Sequence, residues 1–554
     1  MNLSSGYRLL RQSRILDRSA MWMVCVFCYP FLVTSAFVLL NSATAFTAGR
    51  LAAALLYNLA FSLTVACILR LARPRLATWL VQCLLAFLAL FTFVSAVHFL
   101  LFGQLLGLPS IYALLDTTPT ESSEFAFSML RRDHLFVALA LTLPVLFSLA
   151  RLPHVPRLNF HRRKLALSLA VCVFGGIGYL GVLRPYLYMN NPLLLIAYTV
   201  PEAVQQKAVL QQLYAGIPEQ GSVTTRFPAG QPVTHVLVIG ESTTSRHMAL
   251  YGYGRDTTPR LNELRPELEI ARDACSSRGT TMTQLKEMLT FATREDARAL
   301  FTAPSLLQLM KAAGFKTFWL SNQQMVGSWD NWSAVFSKPA DVRIFTDRRG
   351  GFEGASHDDK LLPLLRDALA DPANHRFIVL HLMGTHHAYD LRYPNEFARF
   401  DHMGFDEGTL HMGAGDPRIA RYNQYDNAVL YNDYILGEII KLVKGAGRTT
   451  LTYLSDHGEA LGETSGIFGH FDGTMPRQVY DIPLIFLLSE SAKSGLGEKM
   501  AVFRANLNKP FQSDSLIHTL LDLYEVGHEA WRQKRSLFNP EYSPGQRYCD
   551  TLEP

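Results

Sequence analysis

The sequence has few charged residues for its length. Of 554 residues only 18% are Asp, Glu, Lys or Arg, whereas 49% are hydrophobic, and this imbalance is unusual for a soluble protein. The formal net charge is +5, and the basic residues form no continuous tract. Because no nucleic-acid-binding module is recognisable either, we expect no nucleic-acid partner. The length alone predicts more than one domain.

Cysteine is scarce in the polar part of the chain. Five of the seven cysteines lie in apolar segments, and only Cys275 and Cys549 lie elsewhere. This distribution excludes a framework of several disulfides and leaves open whether these two cysteines pair. The cysteines therefore do not establish the redox compartment of the protein.

The hydrophobic residues are concentrated in the first third of the chain, in a series of long apolar segments. Each segment is close to the roughly 20 residues that a helix needs to cross a bilayer, so we predict five transmembrane spans. Five buried helices of a soluble core are disfavoured, because so many apolar segments rarely occur in such a short stretch. The predicted spans are 20–41, 51–72, 77–102, 134–150 and 165–184.

Arginine residues predict the orientation of these spans. They cluster before the first span, between the second and third, and between the fourth and fifth. Since basic loops favour the cytoplasmic side, we expect a cytoplasmic amino terminus and an external carboxyl-terminal domain. Arg131 and Arg132 conflict mildly with this orientation, because they fall in a predicted outer loop.

The residues beyond the apolar segments predict a bridge and a second domain. Segment 186–222 mixes apolar clusters with polar residues, which is typical of interfacial helices, although a plain linker is the alternative. In segment 223–554, short apolar strands alternate with amphipathic helices. This alternation predicts an α/β domain with a mainly parallel sheet covered by helices on both faces. The predicted domains are therefore 1–185, 186–222 and 223–554.

Individual elements of the α/β domain can be placed from their hydrophobic patterns. The strands are predicted as short, near-continuous apolar runs and the helices as amphipathic segments. The predicted strands are 235–239, 316–320, 377–382, 449–454 and 482–488, and the predicted helices are 304–313, 360–370 and 422–443.

Polar side chains follow two of the predicted strands. Glu241 comes just after one strand, and Asp456, His457 and Glu459 come just after another. Ligands in open α/β sheets bind beyond the carboxyl ends of the strands, so we expect the two groups to meet. Either group alone would more often be an ordinary turn. Together, their carboxylates and imidazole predict a site for zinc or a similar divalent ion.

Hydroxyl groups and histidines supply further candidates. Thr280, Thr281 and Thr283 lie at the predicted start of an amphipathic helix, where a metal or a base could activate a hydroxyl as a nucleophile. On pattern alone, helix capping is the better explanation of these threonines. His386 and His470 could hold a phosphate or protonate a leaving group, although each alone is more often an ordinary histidine.

Several long motifs occur in order along the chain, namely HVLVIGES, TTSRHMALYGYGRDTTP, KTFWLSNQQ, HLMGTHHAYDLRYP, YNQYDNAVLYNDY and YLSDHGE. With these motifs the chain resembles the phosphoethanolamine transferases of Gram-negative bacteria, which belong to the alkaline phosphatase and sulfatase superfamily. Two stretches, SSRGTTMTQLKEMLTFA and FKTFWLSNQQ, are most similar to the branch that modifies heptose in the lipopolysaccharide core. The branch that modifies lipid A usually has a Cys-rich catalytic domain, and this chain lacks those cysteines.

The resemblance implies a zinc site with a threonine nucleophile. The zinc ligands fall on Glu241, Asp456 and His457, with a threonine as fourth ligand and nucleophile. Alignment of the residues that flank the two candidate threonines favours Thr281 over Thr280.

The resemblance also implies roles for acidic and basic residues around the zinc. His386 and His470 match histidines that contact the phosphate group, and Glu459 matches an acidic residue near the metal. The implied cofactor is Zn²⁺. The implied protein is a monomer in the bacterial inner membrane, with its catalytic domain in the periplasm.

The mechanism that the resemblance implies has two steps. Threonine attacks phosphatidylethanolamine and releases diacylglycerol, and a lipopolysaccharide acceptor then takes the phosphoethanolamine. The alternatives are transfer to lipid A, transfer of phosphoglycerol or phosphoethanolamine to a periplasmic glucan, and a sulfatase-type hydrolase. The hydrolase is disfavoured because Cys275-Ser-Ser-Arg278 lacks the proline of the sulfatase motif Cys-x-Pro-x-Arg, and its arginine comes one residue early.

Overall fold

The protein is represented by a computed structural model that divides into two compact units. The first unit comprises residues 1–112 and 130–206, and the second comprises 113–129 and 207–554. The predicted domain limits at residues 185 and 222 lie outside the described residues, so the division into three segments stays a prediction. The structure describes residues 18–40, 48–102, 106, 110, 130, 132–151, 176, 191–201, 223–225, 231–323, 332–346, 357–401, 405–407, 410–412, 416, 418–463, 467–472 and 475–552.

Long apolar helices dominate the described part of the first unit. Within that part, four helices are long and apolar enough to cross a membrane, and they correspond to the first four predicted spans. The fifth predicted span, 165–184, lies outside the described residues apart from Gly176. The four helices are α1 (Arg18–Leu40), α2 (Ala48–Leu69), α3 (Pro74–Phe102) and α4 (Arg132–Ala150).

A short apolar helix, α5 (Pro192–Pro201), lies within the predicted bridge. The residue before it, Asn191, accepts a hydrogen bond from the Leu194 N–H at 3.1 Å through its side-chain oxygen. The Asn191 amide donates to the side-chain oxygen of Asn58 on α2 at 2.7 Å. Leu195 and Thr199 of α5 are buried. Helix α5 therefore packs within the first unit, against α2.

The second unit is built on a seven-stranded sheet. The described strands are β1 (Thr224–Thr225), β2 (Val233–Gly240), β3 (Leu268–Ile270), β4 (Ala274–Cys275), β5 (Lys316–Ser321), β6 (Val342–Phe345), β7 (His375–His381), β8 (Phe405–Glu407), β9 (Leu410–Met412), β10 (Arg448–Ser455), β11 (Ala460–Leu461), β12 (Phe468–Gly469), β13 (Leu484–Leu488), β14 (Phe511–Gln512) and β15 (Val526–Gly527). The strand order in the sheet is β3–β13–β10–β2–β7–β5–β6. Five neighbouring strands, from β10 to β6, run parallel, whereas β13 is antiparallel to both of its neighbours, β10 and the edge strand β3. The prediction of a mainly parallel sheet is confirmed.

Helices cover both faces of this sheet, as predicted. The described helices of the second unit are α6 (Pro259–Leu264), α7 (Thr281–Met288), α8 (Ala299–Thr302), α9 (Leu306–Ala312), α10 (Trp332–Ser337), α11 (Leu361–Leu369), α12 (Ile419–Lys444), α13 (Glu490–Leu496), α14 (Lys499–Asn506) and α15 (Leu516–Leu523). Alternate residues of a strand point to opposite faces, so Val236 and Val238 join one buried cluster and Leu237 and Ile239 join the other. The first cluster includes side chains of α11 and α12, and the second includes side chains of α7, α9 and α15.

A disulfide joins the two cysteines of the polar part, Cys275 and Cys549. It connects β4 with a segment 274 residues later, and it packs with Ala460, Phe471 and Tyr480 in a small apolar cluster. The pairing that the sequence left open is therefore present. It anchors the chain shortly before Thr280 and Thr281.

Candidate active site

The carboxyl ends of three neighbouring parallel strands meet at one edge of the sheet. Gly240 of β2 pairs with Ser455 of β10, and Ile239 pairs with His381 of β7. Glu241 and Asp456 are thus the first residues beyond two adjacent strands that end in register. The parallel register therefore brings the two carboxylates together.

Glu241, Asp456, His457 and Thr281 place their polar atoms around one point. The Thr281 hydroxyl lies 3.0 and 3.2 Å from the two Glu241 oxygens and 3.3 Å from His457 Nε2. His457 Nε2 lies 3.4 Å from Glu241 Oε1 and 3.5 Å from Asp456 Oδ2. A tetrahedral zinc ion with bonds of about 2.0–2.1 Å requires ligand atoms about 3.3 Å apart, which is the separation found here.

The charges of this cluster also fit a metal ion. Burial, followed by the neighbouring Asp456 carboxylate, raises the pKa of Glu241 to about 7. Asp456 Oδ2 is buried and has no hydrogen-bond partner among the described residues. Two buried carboxylates this close repel each other, and a cation between them would remove that repulsion. The residues present therefore suit a divalent cation.

Backbone contacts orient the side chains of the cluster. His457 Nδ1 lies 2.9 Å from the Gly458 carbonyl oxygen, so it carries the proton and leaves Nε2 to face the cluster. Asp456 Oδ1 accepts from the backbone N–H groups of Ser242 and His457, at 3.0 and 2.7 Å. Burial alone would lower the pKa of His457, but the carboxylates of Asp456 and Glu241 outweigh it and raise that pKa.

Gln323 is a site residue that the sequence analysis did not single out, although it lies in the motif KTFWLSNQQ. Its side-chain amide donates to Glu241 Oε2 at 2.9 Å and to the Leu382 carbonyl at 3.2 Å. Ser242, at φ 57°, donates its hydroxyl to Glu241 Oε1 at 2.8 Å. Each Glu241 oxygen therefore has a donor besides Thr281.

The neighbouring hydroxyls of Thr280 and Thr281 meet different partners. The Thr280 hydroxyl lies 2.7 Å from that of Thr283 and 3.4 Å from Asp472 Oδ2, whereas the Thr281 hydroxyl faces Glu241 and His457. Thr280 occupies the N-cap position of α7, but its side chain makes no capping hydrogen bond. Helix capping therefore does not account for the placement of these hydroxyls.

Two of the predicted histidines lie next to the cluster. The His470 ring centroid is 4.1 Å from that of His457 and 6.3 Å from that of His386. Buried Glu459 holds His470 Nδ1 at 2.6 Å and also accepts from the Tyr389 hydroxyl at 2.7 Å. Glu459 therefore orients the imidazole of His470 and leaves its Nε2 for other partners.

His386 is the more isolated of the two. Its Nδ1 is buried and has no hydrogen-bond partner in the part of the chain that the structure describes. Burial, with the neighbouring His387, holds the pKa of His386 well below its usual range. His386 is therefore neutral in the protein alone.

Buried side chains of opposite charge stabilise the loop that follows Glu241. His247 Nδ1 and Arg255 Nη1 each lie 2.7 Å from an oxygen of Asp426 on α12. Burial alone would lower the pKa of His247, but Asp426 and Glu463 outweigh it and raise that pKa to about 9. The neighbouring Tyr425 hydroxyl donates to the Ser242 carbonyl at 2.7 Å. Helix α12 thus fixes the strand end that carries Glu241.

Comparison with known proteins identifies the family of this chain. The profile of the sulfatase family matches residues 234–526. The chain is 32% identical to the zinc complex of the C-terminal periplasmic domain of Escherichia coli EptC, with a TM-score of 0.56 over 61% of this chain and 98% of that domain. It is also 34% identical over 326 residues to phosphoethanolamine transferase EptC of Escherichia coli (strain K12).

The chain belongs to the sulfatase-domain family of phosphoethanolamine transferases. The match to EptC covers 57% of this chain and 55% of the relative, so the chain spans about half the length of the curated relatives it matches.

The fold of a phosphoethanolamine transferase extends over nearly the whole chain. The integral membrane protein lipooligosaccharide phosphoethanolamine transferase A (EptA) from Neisseria meningitidis superimposes with a TM-score of 0.67, over 94% of this chain and 96% of that chain. The identity is 22%, so this comparison establishes the fold alone. It confirms the prediction of a helical membrane part followed by a sulfatase-like α/β part.

Proposed function

We propose that this protein transfers phosphoethanolamine from phosphatidylethanolamine to lipopolysaccharide, with Thr281 as the nucleophile. The observation that carries the proposal is the Thr281 hydroxyl, which lies within 3.0–3.3 Å of Glu241 and His457 at the carboxyl edge of the sheet. The adjacent Thr280 hydroxyl faces Thr283 and Asp472 instead. Phosphoryl transfer requires a positioned nucleophile and compensation of the phosphate charge. Thr281 meets the first requirement, and a cation held by the neighbouring carboxylates would meet the second.

Zinc is the cofactor that this site fits best. Glu241, Asp456 and His457 would hold it with Thr281 as the fourth ligand, which is consistent with their separations and with the zinc complex of the EptC domain. A bound zinc ion would supply positive charge that favours the ionised hydroxyl of Thr281 and neutralises phosphate oxygens. Donor atoms of His457, Glu459 and His470 form a second group within 4.8 Å, which shares His457 with the first.

In the first step, Thr281 loses its proton to water and attacks the phosphorus of phosphatidylethanolamine. The Oγ–P bond forms, and the bond between phosphorus and the diacylglycerol oxygen breaks. The diacylglycerol oxygen needs a proton, which His470 gives through Nε2 because Glu459 holds its Nδ1. His386, next to His470, contacts the phosphate oxygens in this proposal.

In the second step, a hydroxyl of the acceptor attacks the same phosphorus. His470 Nε2, deprotonated after the first step, takes the proton of this hydroxyl. The bond between phosphorus and Thr281 Oγ breaks, and the threonine regains a proton from water. One imidazole thus serves as acid in the first step and as base in the second.

The membrane helices fit substrates that are both carried by lipids. We propose that segment 1–185 anchors a monomer in the bacterial inner membrane with its amino terminus in the cytoplasm. Segment 186–222 forms an interfacial bridge, and segment 223–554 is the catalytic domain in the periplasm. The Cys275–Cys549 disulfide supports an oxidising compartment for that domain. Within lipopolysaccharide, we propose core heptose as the acceptor, as the resemblance implies.

Other transferases remain alternatives, whereas sulfatase chemistry is disfavoured. Transfer to lipid A, or of phosphoglycerol or phosphoethanolamine to a periplasmic glucan, would use the same residues. A sulfatase requires a cysteine that matures to formylglycine, and the cysteine at the candidate position, Cys275, is bonded to Cys549.

The mass spectrum of lipopolysaccharide tests the proposed function. We expect cells with the wild-type protein to add phosphoethanolamine to the core fraction, and cells with Thr281→Ala to add none. Modification confined to lipid A would show that lipid A, and not core heptose, is the acceptor. Modification of a glucan alone would show that the acceptor is not lipopolysaccharide. Unmodified envelope glycolipids in every strain would contradict the proposed function.

A further inference from the structure

Asp472 contacts both ends of the turn that carries Thr281. Its Oδ1 accepts from the Gly279 N–H at 2.8 Å, and its Oδ2 accepts from the Thr283 hydroxyl at 2.6 Å. The Thr280 hydroxyl lies 3.4 Å from the same Oδ2. One carboxylate thus spans the residues on either side of Thr281 without contacting Thr281.

The backbone of the same turn packs directly against the loop that carries His470. A Cβ atom at Gly279 would lie 2.2 Å from the Phe471 carbonyl oxygen, so only glycine allows this approach. Phe471 and Asp472 follow His470 immediately in the sequence. The turn of the nucleophile and the loop of the proton donor are therefore held together at two adjacent points.

We propose that Asp472 is a positioning residue that fixes Thr281 relative to His470. This inference rests on the proposed function, in which Thr281 attacks phosphorus and His470 exchanges a proton with the leaving or attacking oxygen. Both steps require the two groups at a constant spacing around one phosphorus, and misplacement by about 1 Å can cost about 100-fold in rate. Asp472 serves this need through Gly279 and Thr283, because it does not touch the reacting atoms.

A purely structural role makes a different prediction from a positioning role. If Asp472 only stabilised the loop, Asp472→Ala would lower the melting temperature and the fraction of active enzyme, and Asp472→Asn would do the same. If Asp472 positions Thr281, kcat of Asp472→Ala falls, while KM, the zinc content and the folded fraction stay close to their wild-type values. Asn should restore much of kcat, because its amide oxygen still accepts from Gly279 and its NH₂ can donate to Thr283.

Asp341 provides a matched control. Its Oδ2 accepts from the Thr317 N–H at 2.9 Å and the Thr317 hydroxyl at 2.8 Å, so it too bonds one backbone N–H and one threonine hydroxyl, at the opposite edge of the sheet. It also pairs with Lys311. The test measures kcat and KM of the full-length enzyme with p-nitrophenyl phosphoethanolamine, together with zinc content and melting temperature. The variants are Asp472→Ala, Asp472→Asn, Thr283→Val, Asp341→Ala and Thr281→Ala.

We expect Asp472→Ala to lower kcat about 10- to 100-fold with KM within about threefold, and Asp341→Ala to leave kcat unchanged. Equal kcat values in the two alanine variants would overturn the positioning role. If Asp472→Ala does not fold, Asp472→Asn and Thr283→Val decide. A lowered kcat in Thr283→Val would support the positioning role, and wild-type kcat in both variants would contradict it. Activity in Thr281→Ala would instead overturn the proposed function, and the positioning role with it.

Discussion

The central sheet has one edge at the amino-terminal ends of its parallel strands and another at their carboxyl-terminal ends. Charged side chains are arranged in opposite ways at these two edges. At the amino-terminal edge, acids face bases: Lys316 at the start of β5 pairs with Asp371, and Arg448 at the start of β10 pairs with Glu525. At the carboxyl-terminal edge, acid faces acid, because Glu241 lies beside Asp456 with one imidazole between them.

Burial sharpens this difference. Glu241, Asp456 and His457 are almost completely buried, whereas the four side chains of the amino-terminal pairs are 13–38% exposed to solvent. A buried excess of negative charge destabilises a fold unless a cation or a proton compensates it. The same strands therefore carry a stabilising edge and a functional edge, and the functional edge is where charge is left to be balanced by a ligand.

The largest expected effect is the loss of the Thr281 hydroxyl. Thr281→Ala should lower turnover of a soluble phosphodiester by at least about 1,000-fold, because a two-step reaction loses its nucleophile. Thr280→Ala should retain turnover within about threefold, since that hydroxyl faces away from Glu241. Steady-state kinetics of the two purified variants measure these turnover rates. Normal turnover in Thr281→Ala would contradict the role of Thr281 as nucleophile.

The second-largest expected effect is on zinc content, which should fall in a variant of the carboxyl edge and not in a variant of the amino-terminal edge. Asp456→Ala removes a buried carboxylate of the cluster and should weaken zinc binding by at least about 100-fold, whereas Asp371→Ala at the opposite edge should keep wild-type zinc content. Elemental analysis of dialysed full-length protein gives both values. Equal zinc in Asp456→Ala and wild type would place the metal elsewhere.

The charges around His247 should give a smaller, pH-dependent effect. The folded protein raises the pKa of His247 from 6.5 to about 9, so its contribution is complete below pH 6.5 and is lost as pH rises through about 9. The shift corresponds to at most about 3 kcal/mol of the free energy of unfolding.

Denaturation of the full-length protein at pH 6 and pH 9.5 checks this effect. His247→Gln should flatten the pH dependence. His235→Gln should not, because burial holds the pKa of His235 near 3 and this residue stays neutral throughout the range. Identical pH dependence in wild type and His247→Gln would show that the group is not charged in the fold.

The smallest expected effect lies at the amino-terminal edge. Asp371→Ala removes the partner of Lys316, a partly exposed pair, and should change the free energy of unfolding by less than about 1 kcal/mol. Chemical denaturation measures the change, and kcat should stay at the wild-type value. A large loss of kcat would mean that the two edges are not functionally separate.

The central strands were predictable because each is a short run rich in apolar and β-branched residues. Strand β2 was expected at 235–239 and spans Val233–Gly240, and β10 was expected at 449–454 and spans Arg448–Ser455. The edge strands β3 and β6 were not predicted, since they have three or four residues and no continuous apolar run. The antiparallel direction of β13 was not predicted either, because alternation of strands and helices does not determine direction.

The prediction of individual site residues was limited in the same way as the prediction of the strands. Glu241 and Asp456 were found because each follows an apolar strand, and their meeting follows from parallel register. Gln323 and Asp472 were not assigned roles, because their partners lie 82 and 193 residues away and only the fold brings them together. Likewise, two adjacent threonines have equal chemistry in a sequence, and only the geometry distinguishes their hydroxyls.

The most direct test is to locate the covalent group on the enzyme. Full-length protein with zinc and phosphatidylethanolamine, but without acceptor, is digested and analysed by tandem mass spectrometry. The account predicts phosphoethanolamine on Thr281 and its disappearance when lipopolysaccharide is added. Phosphoethanolamine on Thr280 or Thr283, or continued transfer by an enzyme that never carries the group, would contradict it.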